Sequence, residues 1–391
     1  VNALVRDTVV AGSPGDFMTV RHLVLRGSQR DIGRALAGVA VRDLGVRKAP
    51  WTDPDATRAQ LAWLERRWPA HHARALGVAS ALQLPADGRL DPTHLFYDWA
   101  VPGCSNVYWP PATSASGRAT LTRNYDFTTG TVFELMGRPA PPAARPATSR
   151  PFVVETHPDG PDAGHATLVM TAYELLGGAT DGVNAAGLAV ALMATVDVMR
   201  GPGYAPTGKN AVGVSEIQLV RYLLENAATA AEARALLART PTYTQFVPCH
   251  YLVADAGGDA FLWSRIAQGE VSLEDAAHPG RPLCATNHLP GRTVADIPQR
   301  AESVERLDHL REAAAAALVE GPASTSAIDA VARSVAATLP PGEGQYAAQS
   351  PARTLWHGRY DLAAPALDVD YYLGEADGGH VRRSRPLRFA L

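Results

Sequence analysis

The pair Gly103-Cys104 opens a segment that closes, after one predicted turn, on Arg123-Asn124-Tyr125-Asp126-Phe127. SNVYWP and RATLTRNYDF read as strands separated by the turn-forming TSASG, which predicts a hairpin. A hairpin returns Arg123 and Asp126 to the strand end that carries Cys104, so a thiol, a cation and a carboxylate are expected to meet there. Thiolate is the reactive form of cysteine, and Arg123 favours it. A cut between Gly103 and Cys104 would free an α-amine with an intrinsic pKa near ~7.7–8.0, suited to general-base work at neutral pH. Asp126 is expected to accept a hydrogen bond from that amine and hold it beside the sulfur. The cysteine then carries its own base, as N-terminal threonine nucleophiles do.

Other residues with chemical potential read less sharply. Cys249-His250 with Cys284 and His288 offers zinc-type donors, but one pair is adjacent and the other far away in sequence. Cys249 and His250 would also point to opposite faces of a strand. No metal and no cofactor are therefore expected. Tyr108, Trp109, Tyr173 and Trp263 are candidate lining for an apolar pocket, although strand aromatics are more often core. Asn184, in DGVNAAG, reads as a turn residue before it reads as a pocket residue, and Asn124 as a residue behind the site.

The elements that must position these groups are legible in outline. MTVRHLVLRG alternates like a strand and SQRDIGRALAGVAVRDLG follows as a helix with Ser28 as N-cap. Helical patterning runs from about Asp55 to Leu82, and DGRLDPTHLFYDWAVPG then descends through turn residues to Cys104. Arg138 to Pro151 is proline-rich and predicts an exposed loop. FVVETHP, ATLVMTAYELL and GLAVALMATV are strand candidates, the last two joined by the glycine-rich GGATDGVNAAG. Ser215 to Thr240 predicts one amphipathic helix, and HYLVADAGGDAFLWS a hairpin. Helices over roughly Arg300–Val319 and Ser326–Thr338 precede a strand-rich tail. Grouped strands and grouped helices give an α+β order, not alternating βαβ units.

The 391 residues carry a formal net charge of −3, so no basic field points to nucleic acid or an anionic membrane surface. Hydrophobic residues make up 46% and charged residues 19%, which suits a globular protein. Three cysteines are too few and odd in number for a disulfide framework, which favours a reducing, cytoplasmic setting. The stretch before Met18 lacks a secretory h-region and reads as a disordered or misassigned leader, with either Val1 or Met18 as the translation start.

Gly103-Cys104-Ser105 followed by Arg123-Asn124-Tyr125-Asp126-Phe127 resembles the acyl-CoA:6-aminopenicillanate acyltransferase family, and with it the choloylglycine hydrolases, penicillin V acylases and N-acylethanolamine acid amidases. LRGSQRDIGRALAG is similar to the family's opening strand and helix, DGVNAAGLAVALM to its glycine-rich hairpin, and HYLVADAGGDAFLWS to a later one. The resemblance implies a four-layer αββα N-terminal-nucleophile fold made from a precursor. Residues 1–103 would be the small chain and residues 104–391 the large one, the two staying associated after the Gly–Cys cut. It further implies Cys104 as nucleophile, Arg123 and Asp126 as orienting groups, and Asn287 in ATNHL as oxyanion donor. Arg353 is the candidate for an arginine found nearer the C-terminus of some relatives. The sequence departs from the choloylglycine branch at Met193-Ala194, where that branch carries an asparagine. The implied substrate is a small acyl amide or acyl thioester. Hydrolysis and acyl transfer remain open, as do a non-catalytic binding protein and a metal-dependent hydrolase as rivals of another class.

Overall fold

A computed structural model describes residues 3–46, 53–84, 103–135, 137–172, 174–195, 211–244, 247–265, 271–275, 280–338 and 350–391. Tyr173, one of the aromatic pocket candidates, lies outside them.

The chain begins in a strand, β1 (Leu4–Ala11), paired antiparallel with β2 (Val20–Ser28). This corrects the expectation of a disordered leader: Leu4–Ala11 is the edge of a sheet, and its weak alternation reflects a face that leaves Val5 and Val9 exposed. Helix α1 (Gln29–Leu44) starts where its cap predicts, with Ser28 Oγ accepting from the Asp31 N–H at 3.2 Å. The long helix expected next is two, α2 (Pro54–Arg67) and α3 (Pro69–Ala81), because Pro69 has no N–H to continue the ladder and Trp68 leaves helical geometry. Gly33 and Gly77 let α1 and α3 touch backbone to backbone. A Cβ on either would fall 2.0 Å from a carbonyl of the other helix.

Strands β3 (Gly103–Trp109) and β4 (Thr120–Thr128) form the predicted hairpin, and a one-turn helix α4 (Val132–Leu135) follows. Then come β5 (Phe152–Asp159), β6 (Thr167–Thr171), β7 (Asp181–Asn184) and β8 (Ala189–Ala194). β7 lies inside the stretch read as a glycine-rich turn. Gly182 is what admits it, since a Cβ there would meet Val169 Cγ1 at 2.6 Å and the Leu168 carbonyl at 2.7 Å. β9 (Val214–Ser215) pairs in parallel with β10 (Thr242–Tyr243).

Between them, the single helix expected over Ser215–Thr240 is again two, α5 (Leu219–Asn226) and α6 (Ala230–Leu237). A capping box breaks it: Thr229 Oγ1 accepts from Glu232 N–H, and Glu232 Oε2 accepts from Ala228 N–H at 2.7 Å. β11 (Cys249–Ala254), β12 (Ala260–Arg265), β13 (Val271–Asp275) and β14 (Leu283–Ala285) lead to helices α7 (Ala301–Ala316) and α8 (Thr325–Arg333). The tail supplies β15 (Ala352–Asp361), β16 (Ala366–Glu375), β17 (Val381–Arg383) and β18 (Leu387–Ala390).

Two large sheets result. One has the order β1-β2-β5-β6-β7-β8-β11-β12-β13, with β2 and β5 parallel; the other runs β14-β3-β4-β15-β16-β17, with β18 also on β16. Apolar side chains divide into three cores. One lies between α1, α2, α3, α5 and α6 and the nine-stranded sheet, one between the sheets, and one between the second sheet and α7 and α8. The order is helix, sheet, sheet, helix, the four-layer α+β sandwich that the sequence implied. Among the described residues no helix is long and apolar enough to cross a membrane.

The segment before Cys104 is built into this sandwich. Arg74 on α3 donates to Gln29 Oε1 and the Leu176 carbonyl, both at 3.0 Å, and to Glu225 Oε1 at 2.5 Å. Trp68 Nε1 fills the other Glu225 oxygen at 2.7 Å. Gln60 exchanges two 2.8 Å hydrogen bonds with the Gly213 backbone.

Candidate active site

Register fixes the site. Gly103 lies opposite Asp126, Cys104 opposite Tyr125, Ser105 opposite Asn124 and Asn106 opposite Arg123. Side chains alternate across a strand, so the hairpin sorts its polar residues onto two faces. Cys104 and Tyr125 belong to the core between the sheets. Arg123 crosses that gap: Nη1 donates to the Leu192 carbonyl at 2.5 Å and Nε lies 3.3 Å from Asp181 Oδ1 on β7. Asp126 points the other way, toward the helices. It accepts from Thr354 Oγ1 at 2.5 Å and from Arg306 Nη1, on α7, at 2.8 Å. The two charged groups therefore flank the start of β3 from opposite faces.

Asn287 closes the arrangement from the loop after β14. Its Oδ1 accepts from the Cys104 N–H at 2.7 Å and from Arg306 Nη2 at 2.9 Å, while Nδ2 donates to the Ala194 carbonyl at 2.9 Å. Its backbone N–H is held by Ser303 Oγ at 3.0 Å. The neighbouring histidines fasten the same turn: His250 Nε2 lies 2.5 Å from the Thr286 carbonyl, and His288 Nδ1 2.9 Å from Ser303 Oγ. Burial holds both imidazoles neutral, His250 pushed down to about 3 and His288 to about 4.

The thiol is fully buried. Burial pushes it up to about 12, against the pull of Arg123, so desolvation outweighs the nearby cation and Cys104 is protonated at neutral pH. Arg123 favours the thiolate, as expected, but burial outweighs it. A base must take this proton.

Arg306 is the residue that sequence reading missed. It joins Asp126 to Asn287. Arg353 instead pairs with Glu375 Oε1 at 2.6 Å. Ser303 and Arg306 stand one turn apart on α7 and both reach Asn287. A serine and an arginine on the face that also buries Val304, Leu307 and Leu310 were the available signal.

The remaining candidates sit elsewhere. Asn124 holds the hairpin to α8 and β15, donating to Ser105 Oγ and the Ala332 carbonyl and pairing with His357 Nδ1 at 2.8 Å. Asn184 spends its amide on the Leu224 and Ala227 carbonyls and the Ala186 and Leu188 N–H groups. Tyr108 is buried four residues along β3, roughly 13 Å from Cys104 at strand rise. The three cysteines occupy three different cores, Cys104 between the sheets, Cys249 and Cys284 against the opposite helix layers. They cannot share a metal.

The model of the acyl-coenzyme A:6-aminopenicillanic acid acyl-transferase family matches residues 113–373, a span that contains Arg123, Asp126, Asn287 and Arg306 and starts after Cys104. The chain belongs to this family. No curated protein matches it. Among solved structures it is similar to a penicillin V acylase from Agrobacterium tumefaciens, at 17% identity and TM-score 0.46 over 68% of this chain and 83% of that one. It is also similar to a mutant form of a conjugated bile acid hydrolase from Clostridium perfringens, at 11% identity and TM-score 0.47 over 72% and 96%. For a second variant of that hydrolase the values are 10% and 0.40, over 74% and 92%. Membership of an acyl-transferase family supports an enzyme.

Proposed function

We propose that the chain is a self-processing cysteine acyltransferase or amidohydrolase whose nucleophile is Cys104, acting on a small acyl amide or acyl thioester. The observation that carries this reading is the convergence on one backbone nitrogen: Cys104 N, Asn287 Oδ1, Arg306 and Asp126 form a continuous chain of hydrogen bonds.

Maturation uses the thiol first. Cys104 Sγ attacks the Gly103 carbonyl, the peptide nitrogen takes a proton and leaves as the α-amine of Cys104, and a thioester to Gly103 results. Water cleaves that thioester, giving the Gly103 carboxylate and a free thiol. The new amine stays hydrogen-bonded to Asn287 Oδ1, where the Arg306 cation opposes its protonation and keeps it a base. In turnover this amine takes the thiol proton as Sγ attacks the substrate carbonyl. Asn287 Nδ2 has two hydrogens and spends one on Ala194, which leaves the second for the oxyanion. The leaving group departs with the proton, and the thioester on Cys104 passes its acyl group to water or to an amine. Hydrolysis of an N-acyl amide is the generic outcome, and transfer to an amine from an acyl thioester is the alternative. The two pieces stay together because Arg74, Gln60 and Trp68 hold the first to the second through buried bonds. Three free, buried cysteines suit the cytoplasm.

The test is a trapped intermediate. Wild-type protein mixed with a short acyl thioester and quenched in acid should carry one acyl mass on the peptide that begins with Cys104. A chain that turns over substrate with the acyl group elsewhere, or that takes up none, contradicts the reading.

A further inference from the structure

A cleft of about 400 Å³ lies between the last turn of α1 and the proline-rich loop that joins α4 to β5. Arg42 and Asp43 come from α1, Arg145 and Arg150 from the loop, and Val132 and Phe133 form an apolar wall. Val132 and Ala147 pack against the core between the sheets that also contains Cys104, so the cleft opens beside that core.

The charges do not cancel. Arg21 and Arg42 both pair with Asp7 and Asp43, Arg42 at 2.9 and 2.8 Å, which closes a neutral cluster of four. That leaves Arg145 and Arg150 without a carboxylate in the lining. Arg150 gives one N–H to the Asp43 carbonyl, which anchors it and leaves the rest of its fork free. Arg145 is exposed at the rim. A part-apolar cavity with two uncompensated guanidinium groups matches a molecule with an apolar body and an oxyanion at one end.

We propose that this cleft is a binding site for the carboxylate or phosphate end of a small amphipathic molecule. The site is shared by the segments on either side of Cys104, so its ligand bridges both pieces of a cut chain. Binding here does not require the chemistry proposed for Cys104, and the test keeps the two apart.

Full-length Cys104→Ala protein is titrated by calorimetry with octanoate, octyl phosphate and octan-1-ol. Both anions should bind saturably at one site, weaken at least tenfold in Arg145→Glu, and weaken further as salt rises; octan-1-ol should not compete. Arg150→Lys, which keeps the charge but loses the fork, should weaken the anions several-fold. Tighter binding of octyl phosphate marks a phosphate ligand, and equal or tighter binding of octanoate a carboxylate; either supports the site. Absence of saturable binding by both anions, or unchanged affinity in Arg145→Glu, overturns the proposal. Arg145 is exposed, so that variant remains informative even if Arg150→Lys is unstable.

Discussion

Two buried polar clusters in this molecule are similar in composition and opposite in state. At the seam between α3 and α5, Arg74, Glu225, Gln29 and Trp68 use their hydrogen-bonding groups on one another and on the Leu176 and Ala163 carbonyls. Around the start of β3, Arg123 Nη2 and both amide atoms of Asn106 are buried without a hydrogen-bond partner among the described residues, beside a protonated thiol. A satisfied network fixes a structure. An unsatisfied one retains interaction energy for something that arrives later, and it is costly unless that something is used. On the proposed reading, the seam holds the chain together and the β3 cluster serves the chemistry.

The seam should therefore break the fold and the site should break the reaction. Arg74→Ala leaves Glu225 buried and uncompensated, and should cost about 3–5 kcal/mol. Denaturant unfolding would show it as a shifted midpoint, with the cut between Gly103 and Cys104 still made in whatever protein folds. If Arg74→Ala were as stable as wild type, the seam would not be what holds the first segment. Asn287→Ala should have the reverse signature, a loss of about 10²–10³ in kcat with a smaller change in stability. Equal loss of folding in that variant would place Asn287 with the structural cluster.

Arg306 sharpens the comparison because it touches both a carboxylate and the site. Its removal should raise the pKa of the α-amine, so in Arg306→Ala the acid limb of the pH–rate profile moves to higher pH, and Arg306→Lys should restore part of the shift. A purely structural role would lower the rate without moving the limb. The smallest effect concerns His250 and His288. Both are held neutral by burial, so the unfolded chain binds more protons than the folded one once pH falls below about 6.5. Stability is complete above that pH and declines as pH falls toward 4 and 3. His250→Asn should flatten the decline in an acid titration of unfolding; an unchanged slope would mean that these imidazoles do not contribute.

The sequence was most legible where local pattern and chemistry coincide. Cys104, Arg123 and Asp126 lie on one hairpin, so their convergence needs only a turn, and Ser28 announces α1 through a cap three residues long. What it hid depends on packing. Which face of β4 each charge takes is a matter of parity, and parity puts Arg123 and Asp126 on opposite sides. Arg306 reaches the site from a helix whose placement no local pattern encodes, whereas Arg353 was closer to the expected order along the chain and lies elsewhere. β1 was lost because an exposed edge strand need not alternate cleanly, and β7 because Gly182, which a close neighbouring strand requires, looks like a turn residue in sequence. The breaks in α2–α3 and α5–α6 had readable causes, Pro69 and the Thr229–Glu232 box, that the longer apolar periodicity masked.

The central claim is that Cys104 cuts the chain before itself and then works as its own N-terminus. Intact-mass analysis of purified wild type beside Cys104→Ala tests it most directly, under reducing conditions. Two co-purifying pieces from wild type, one ending at Gly103 and one beginning at Cys104, with the variant whole, are the predicted result. A wild-type chain that stays in one piece while turning over substrate would contradict it.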